Sequence, residues 1–120
     1  MRTSDPDQSV FRIDRFVVPP AAEAEFLAAV TETNTVFEAM EECLQLRVLK
    51  QEGQSGGYNY ITVAQWASAA AIPKARAAVA AKHKAMNLDP QELFTRLQIK
   101  AELGYYVPAA RSFDDAPAPR

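Results

Sequence analysis

Arg76, Val79, His83 and Met86 recur at three- and four-residue spacing, so on a helix they share one stripe. Histidine is the side chain whose ordinary pKa lies near neutrality, and arginine carries a fixed positive charge. Together in an apolar pocket they suit proton abstraction, with His83 as base and Arg76 steadying the enolate or other anion left behind. Between Lys82 and Lys84, His83 also fits the surface near a helix end, and Arg76 also fits a surface ion pair. Trp66 ends a strand-like run and suits either a core plug or a pocket wall. Further candidates for ligand contact are Tyr60, Thr62 and Tyr105 on strand faces and Phe26, Asn34 and Phe37 on an earlier helix, where core packing also accounts for the aromatics.

Other chemistries fail on counting. The 120 residues include one cysteine, Cys43, and one histidine, so neither an internal disulfide nor a histidine–cysteine metal cluster can be built. Glu41 and Glu42 precede Cys43, and neighbouring carboxylates disfavour a thiolate. Fifteen acidic against 13 basic residues give a net charge of −2, which argues against nucleic acid as a partner. Gly53, Gly56 and Gly57 fall in a loop between strands and read as turn residues, not as a phosphate cradle. No apolar run approaches the roughly 20 residues of a membrane helix, and the first residues lack a signal peptide's apolar stretch. With one cysteine, the expectation is a cytoplasmic protein without a membrane partner.

The elements that must position these residues follow from periodicity. Polar, proline-containing ends at 1–8 and 108–120 read as flexible tails around one domain at 9–107. Strand one is expected from Val10 to Val18, stopped by Pro19-Pro20, and helix one from about Ala22 to Met40, with Phe26, Val30, Phe37 and Met40 as its apolar stripe. Strand two covers Cys43 to Gln51 and strand three about Tyr58 to Trp66, with Tyr58, Tyr60, Thr62, Ala64 and Trp66 on one face. An alanine-rich helix two reaches about Met86, with Ser68 as a candidate cap and Pro73 near its start. Asp89-Pro90-Gln91-Glu92 opens a short helix three, and Leu97 to Val107 alternates as the last strand.

The order β-α-β-β-α-β, with an extra helix before the last strand, is an α+β, ferredoxin-like arrangement on a four-stranded antiparallel sheet. Two helices would cover one sheet face. On this reading the other face carries Arg12, Asp14, Phe16, Arg47, Leu49, Ile61, Val63 and Glu102. A second copy packed on that face would bury the apolar members and pair the charges, so a two-fold homodimer is expected.

This arrangement resembles the antibiotic biosynthesis monooxygenase domains of the dimeric α/β-barrel superfamily. The resemblance rests on Phe-Val-Val-Pro-Pro-Ala-Ala-Glu-Ala-Glu-Phe-Leu at 16–27, on Tyr-Asn-Tyr-Ile-Thr-Val-Ala-Gln-Trp at 58–66, and on Leu-Asp-Pro-Gln-Glu-Leu-Phe-Thr-Arg-Leu-Gln-Ile-Lys-Ala-Glu-Leu-Gly-Tyr-Tyr at 88–106. It implies a dimeric enzyme that oxidises a small electron-rich aromatic or polyketide-like substrate with O2, using no flavin or metal cofactor. In that branch the strand-end tryptophan, here Trp66, lines a pocket between sheet and helices. The quinone-forming pattern has an asparagine four residues before the tryptophan, where this chain has Thr62. The haem-degrading branch has an asparagine in strand one and a histidine about ten residues after the tryptophan, and this chain has neither. A noncatalytic binding or dimerisation module of the same fold, and an oxygen-independent isomerase or decarboxylase, remain as alternatives.

Overall fold

β-Branched and aromatic residues form the first strand, β1 (Val10–Val17), and the prolines at 19 and 20 end it by removing backbone donors. The computed structural model describes residues 8–53 and 57–110. A short 3-10 turn at Pro20–Ala22 delivers the chain into α1 (Glu23–Glu38), whose first turn carries Glu23 and Glu25 beside the positive end of the helix dipole. There follow β2 (Cys43–Lys50), β3 (Tyr60–Trp66), α2 (Ala71–Ala85), α3 (Pro90–Leu97) and β4 (Lys100–Tyr106). The strands form one antiparallel sheet in the order β2-β3-β1-β4, the expected α+β ferredoxin-like arrangement. Among the described residues no helix is long and apolar enough to cross a membrane.

Several boundaries differ from the periodic reading for local reasons. Ser68 does not cap α2 with its side chain; its carbonyl accepts from the Ala71 amide at 3.2 Å, and the helix begins there. Pro73 is therefore third in the helix, where a missing N–H costs no intrahelical bond. Asp89 caps α3 as expected, its Oδ1 accepting from the Gln91 amide at 3.0 Å. Gln98 then turns left-handed at φ 60°, so Leu97 ends the helix and does not start the last strand. Residues 1–7 and 111–120 of the tails expected at 1–8 and 108–120, and Gly56, lie outside the described residues.

The largest correction concerns β1. Phe16 is 5% exposed and packs edge-on to Phe26 of α1 at 4.9 Å and to Phe94 of α3 at 5.8 Å, which sends it toward the helices. Side chains alternate along a strand, so Arg12 and Asp14 must point the same way. Register agrees: Arg12 pairs with Ala64, Asp14 with Thr62 and Phe16 with Tyr60, all on the helix-facing side of β3. The three residues thus leave the outer face on which the charge pattern placed them. Arg47, Leu49, Ile61, Val63 and Glu102 do lie on that face, in rows with Ile13 and Arg15. Tyr58 precedes β3, and its ring lies under the Arg15 guanidinium at 4.6 Å, so it belongs with the outer row and not with Tyr60.

Asn59 explains the switch. Its amide group bonds the Val18 backbone twice, Oδ1 accepting from the Val18 N–H at 2.8 Å and Nδ2 donating to the Val18 carbonyl at 2.9 Å, while its own N–H donates to the Phe16 carbonyl. The side chain thus extends the ladder one step past the last strand pair and keeps Val18 buried. Asn59→Ala should cost about 1–2 kcal/mol, the usual penalty for leaving part-buried backbone groups unpaired. Urea unfolding checks this, and an unchanged midpoint would mean that other contacts hold the end of β1.

Candidate active site

The core is split. One hydrophobic cluster joins Phe16, Val18, Phe26, Tyr60 and Ile99, and another joins Ala64, Trp66, Ala71 and Ala75 with Phe37 against it. Between them lies a cavity of about 420 Å³, within the size range of small-molecule sites. Its walls are mostly apolar. Trp66, 2% exposed and held edge-on by Phe37 at 5.0 Å, forms part of the floor. Leu103 and Tyr105 line the cavity yet are 55% and 43% exposed, so it opens along β4.

The polar groups come from three walls. The sheet contributes Arg12, Asp14, Thr62 and Tyr105, α1 contributes Thr33 and Asn34, and α2 contributes Arg76 and His83. Arg12 Nε donates to Asp14 Oδ1 at 2.5 Å, and its Nη1 donates to the Tyr105 hydroxyl at 2.9 Å. The guanidinium also lies 5.0 Å from the Tyr105 ring centre. Burial pushes the Asp14 carboxyl above its ordinary pKa, against the pull of Arg12 and a Gly104 backbone bond. Burial opposes the Arg12 charge too, but its bonds and proximity to Asp14 and Tyr105 hold it above the ordinary arginine value.

On the helix side, His83 Nε2 and Thr33 Oγ1 are 3.2 Å apart, and burial lowers the imidazole pKa. Lys82 pairs with Glu32 at 3.2 Å one residue away, so α1 and α2 meet through two adjacent polar contacts. Arg76 lines the cavity without an ion-pair or hydrogen-bond partner among the described residues. Val79 shares the cavity wall with them, whereas Met86 caps α2 outside it and is 41% exposed.

Of the residues singled out from sequence, His83, Arg76, Trp66, Phe26, Asn34, Phe37, Thr62 and Tyr105 come together around this cavity. Tyr60 does not. Its hydroxyl donates to Glu23 Oε2 at 2.9 Å, Lys50 pairs with the same oxygen at 2.8 Å, and its ring packs against Phe26. It ties β3 to the start of α1. Cys43 also stands apart, its thiol pushed up first by burial and then by Glu38, while Glu42 pairs with Lys74. Sequence reasoning missed Arg12 and Asp14. The sequence held no deciding signal: Val10, Phe16 and Val18 share a parity with the two charges, but Phe11, Ile13 and Val17 are equally apolar on the other. Among the described residues no cluster of histidine, cysteine, aspartate or glutamate could hold a metal ion.

The sequence profile of the antibiotic biosynthesis monooxygenase family matches residues 9–85, from the start of β1 through α2. The chain belongs to that family. Solved members of the fold agree. SnoaB, a cofactor-independent oxygenase from Streptomyces nogalater, is 21% identical and superposes with a TM-score of 0.61 over 88% of this chain and 97% of its own. Rv0793 from Mycobacterium tuberculosis is 17% identical, with a TM-score of 0.63 over 87% and 98% of the two chains. MhuD, crystallised with two manganese protoporphyrin IX molecules per active site, is 19% identical, with a TM-score of 0.62 over 86% and 97%. At such identities these likenesses concern the fold. No curated protein sequence matches the chain.

The lone histidine makes one site property directly measurable. A single imidazole resonance should titrate with a midpoint below 6.5. Because the folded value is depressed, the unfolded chain binds this proton first, so the stability from His83 is complete above 6.5 and is lost as pH falls through the folded midpoint. A midpoint at or above 6.5 would place the ring in open water or beside an acid.

Proposed function

We propose that the chain is a cofactor-independent monooxygenase acting on a small electron-rich aromatic or polyketide-like molecule. The observation that carries this reading is the apolar cavity dividing the core, with its charged lining gathered at Arg12, Asp14, Arg76 and His83. Such a site favours chemistry in which a substrate anion meets O2 away from water. In the reaction envisaged, an activated CH2 and O2 give C=O and H2O, the substrate supplying all four electrons. Trp66 and Phe37, set edge to face, provide aromatic surface for a ring, Asn34 and Thr62 provide hydrogen bonds, and unpaired Arg76 is available to a peroxide anion. A porphyrin like that held by MhuD suits the lining less well: it offers one imidazole, whose Nε2 already meets Thr33 at 3.2 Å.

A noncatalytic binding module is the second reading, favoured by Thr62 at the position where the quinone-forming pattern has asparagine. The working assembly on either reading is a two-fold homodimer in the cytoplasm. Ile13, Ile61 and Val63 lie on the sheet face opposite the helices, and Leu49 beside them is 48% exposed, as expected of a surface that packs on a second copy.

Metal-stripped protein should consume O2 and form quinone when supplied with a matching anthrone or hydroquinone. Saturable binding across such a panel without uptake would move the assignment to the binding module. In sedimentation the protein should run as a dimer at micromolar concentration, and Ile13→Glu should shift it to monomer by placing a charge in the seam. A wild-type monomer at that concentration would remove the paired-sheet assembly.

A further inference from the structure

We infer that Asp14 is the base that takes the substrate proton, with Arg12 as its fixed counter-ion. This deepens the monooxygenase reading and rests on it for the substrate class, an aromatic compound with an acidic C–H or O–H. The placement is the first reason. Asp14 sits in the middle of the sheet wall, its cross-strand neighbours being Thr62 on β3 and Leu103 on β4, and all three side chains line the cavity. Its orientation is set by Arg12 Nε at Oδ1, and Arg12 is itself held by the Tyr105 hydroxyl. Arg12 is the carboxylate's one side-chain partner among the described residues, with a single backbone bond from Gly104 beside it, which leaves acceptor capacity facing the cavity.

His83 is the less available base. Its Nε2 meets the Thr33 hydroxyl at 3.2 Å, so one ring nitrogen is already engaged on the α1 side. The other charged group on α2 that faces the cavity, Arg76, is a guanidinium, a hydrogen-bond donor with no acceptor site for a proton.

Energetics gives the second reason. A partly buried Arg–Asp pair is a poor stabilising device, since apolar residues of similar volume often hold a core better. Val10, Phe16 and Val18 show that β1 fills its other inward positions that way. As an acid–base device the pair has a use. The carboxylate accepts the proton, the substrate keeps the bonding electrons, and Asp14 becomes neutral. The negative charge moves onto the substrate while the Arg12 guanidinium stays in place, so the cavity keeps its net charge through the transfer. Burial, which raises the Asp14 pKa, also makes the carboxylate a stronger base than one in water.

The test separates this step from oxygen chemistry. Dithranol, an anthrone whose anion absorbs in the visible, is titrated into the protein under nitrogen, with fluorescence of the single tryptophan, Trp66, reporting occupancy. Wild type should bind and show the anion band. Asp14→Asn should still quench Trp66 but lose the band by at least about tenfold, and Asp14→Glu should restore part of it. Admission of air then tests the broader reading: an anion band without O2 uptake would sink the monooxygenase assignment and leave the base in place. An undiminished band in Asp14→Asn, or wild-type binding with no band, would make the Arg12–Asp14 pair structural and overturn the inference.

Discussion

The site depends on the burial of one ring. Phe16 is caught between Phe26 of α1 and Phe94 of α3 in edge-to-face contacts, and a strand cannot rotate one residue without rotating its neighbours. With Phe16 inside, Arg12 and Asp14 are carried inside with it, because side chains two apart share a face. A slip by one residue would bury Ile13 and Arg15 in their place and expose Phe16. The aromatic contacts, together with the Asn59 amide that locks Val18, make the inward register the lower in free energy despite the two charges it desolvates.

Those charges are tolerable because each is answered locally. Arg12 bonds Asp14 and Tyr105, Asp14 takes a backbone bond from Gly104, and both side chains are only partly buried. The remaining ion pairs lie at the surface and join elements. Glu25 meets Arg96 between α1 and α3, Glu32 meets Lys82 between α1 and α2, and Lys74 meets Glu42 at the start of β2. Exposed pairs of this kind contribute little each, so they set helix placement around the cavity more than they set stability. The cavity survives because each flanking cluster is closed on itself, one around Phe16 and Phe26 and the other around Trp66.

Family membership and fold do not by themselves assign a reaction, since one scaffold hosts oxygenases and porphyrin-binding proteins alike. What the fold leaves open is the set of polar side chains that line the chamber. In this chain that set is an arginine–aspartate–tyrosine group and Thr62 on the sheet, and a histidine, an arginine, a threonine and an asparagine on the helices. The sheet group is bonded within itself, Arg12 to both Asp14 and Tyr105, whereas Arg76 is unpaired among the described residues, a division between a preorganised centre and an open arm.

The sequence by itself determined the element order and most boundaries, because hydrophobic period, proline stops and the Asp89 cap are local signals that survive without tertiary context. It also determined the helix-borne part of the site: Asn34, Phe37, Arg76 and His83 follow from helical spacing once α1 and α2 face the same sheet. Only the tertiary structure decided the facing of β1. Its residues Phe11, Ile13 and Val17 are as apolar as Val10 and Phe16, so alternation along the strand left both parities open, and charge at 12 and 14 favoured the wrong one. The same holds for Tyr60, which faces the helices as the alternation required but is drawn to Glu23 and away from the cavity. Which side of a strand is buried is a property of what packs against it, and β1 is packed by α1, the next helix, together with α3 near the other end of the chain, which meet on it only in the folded state.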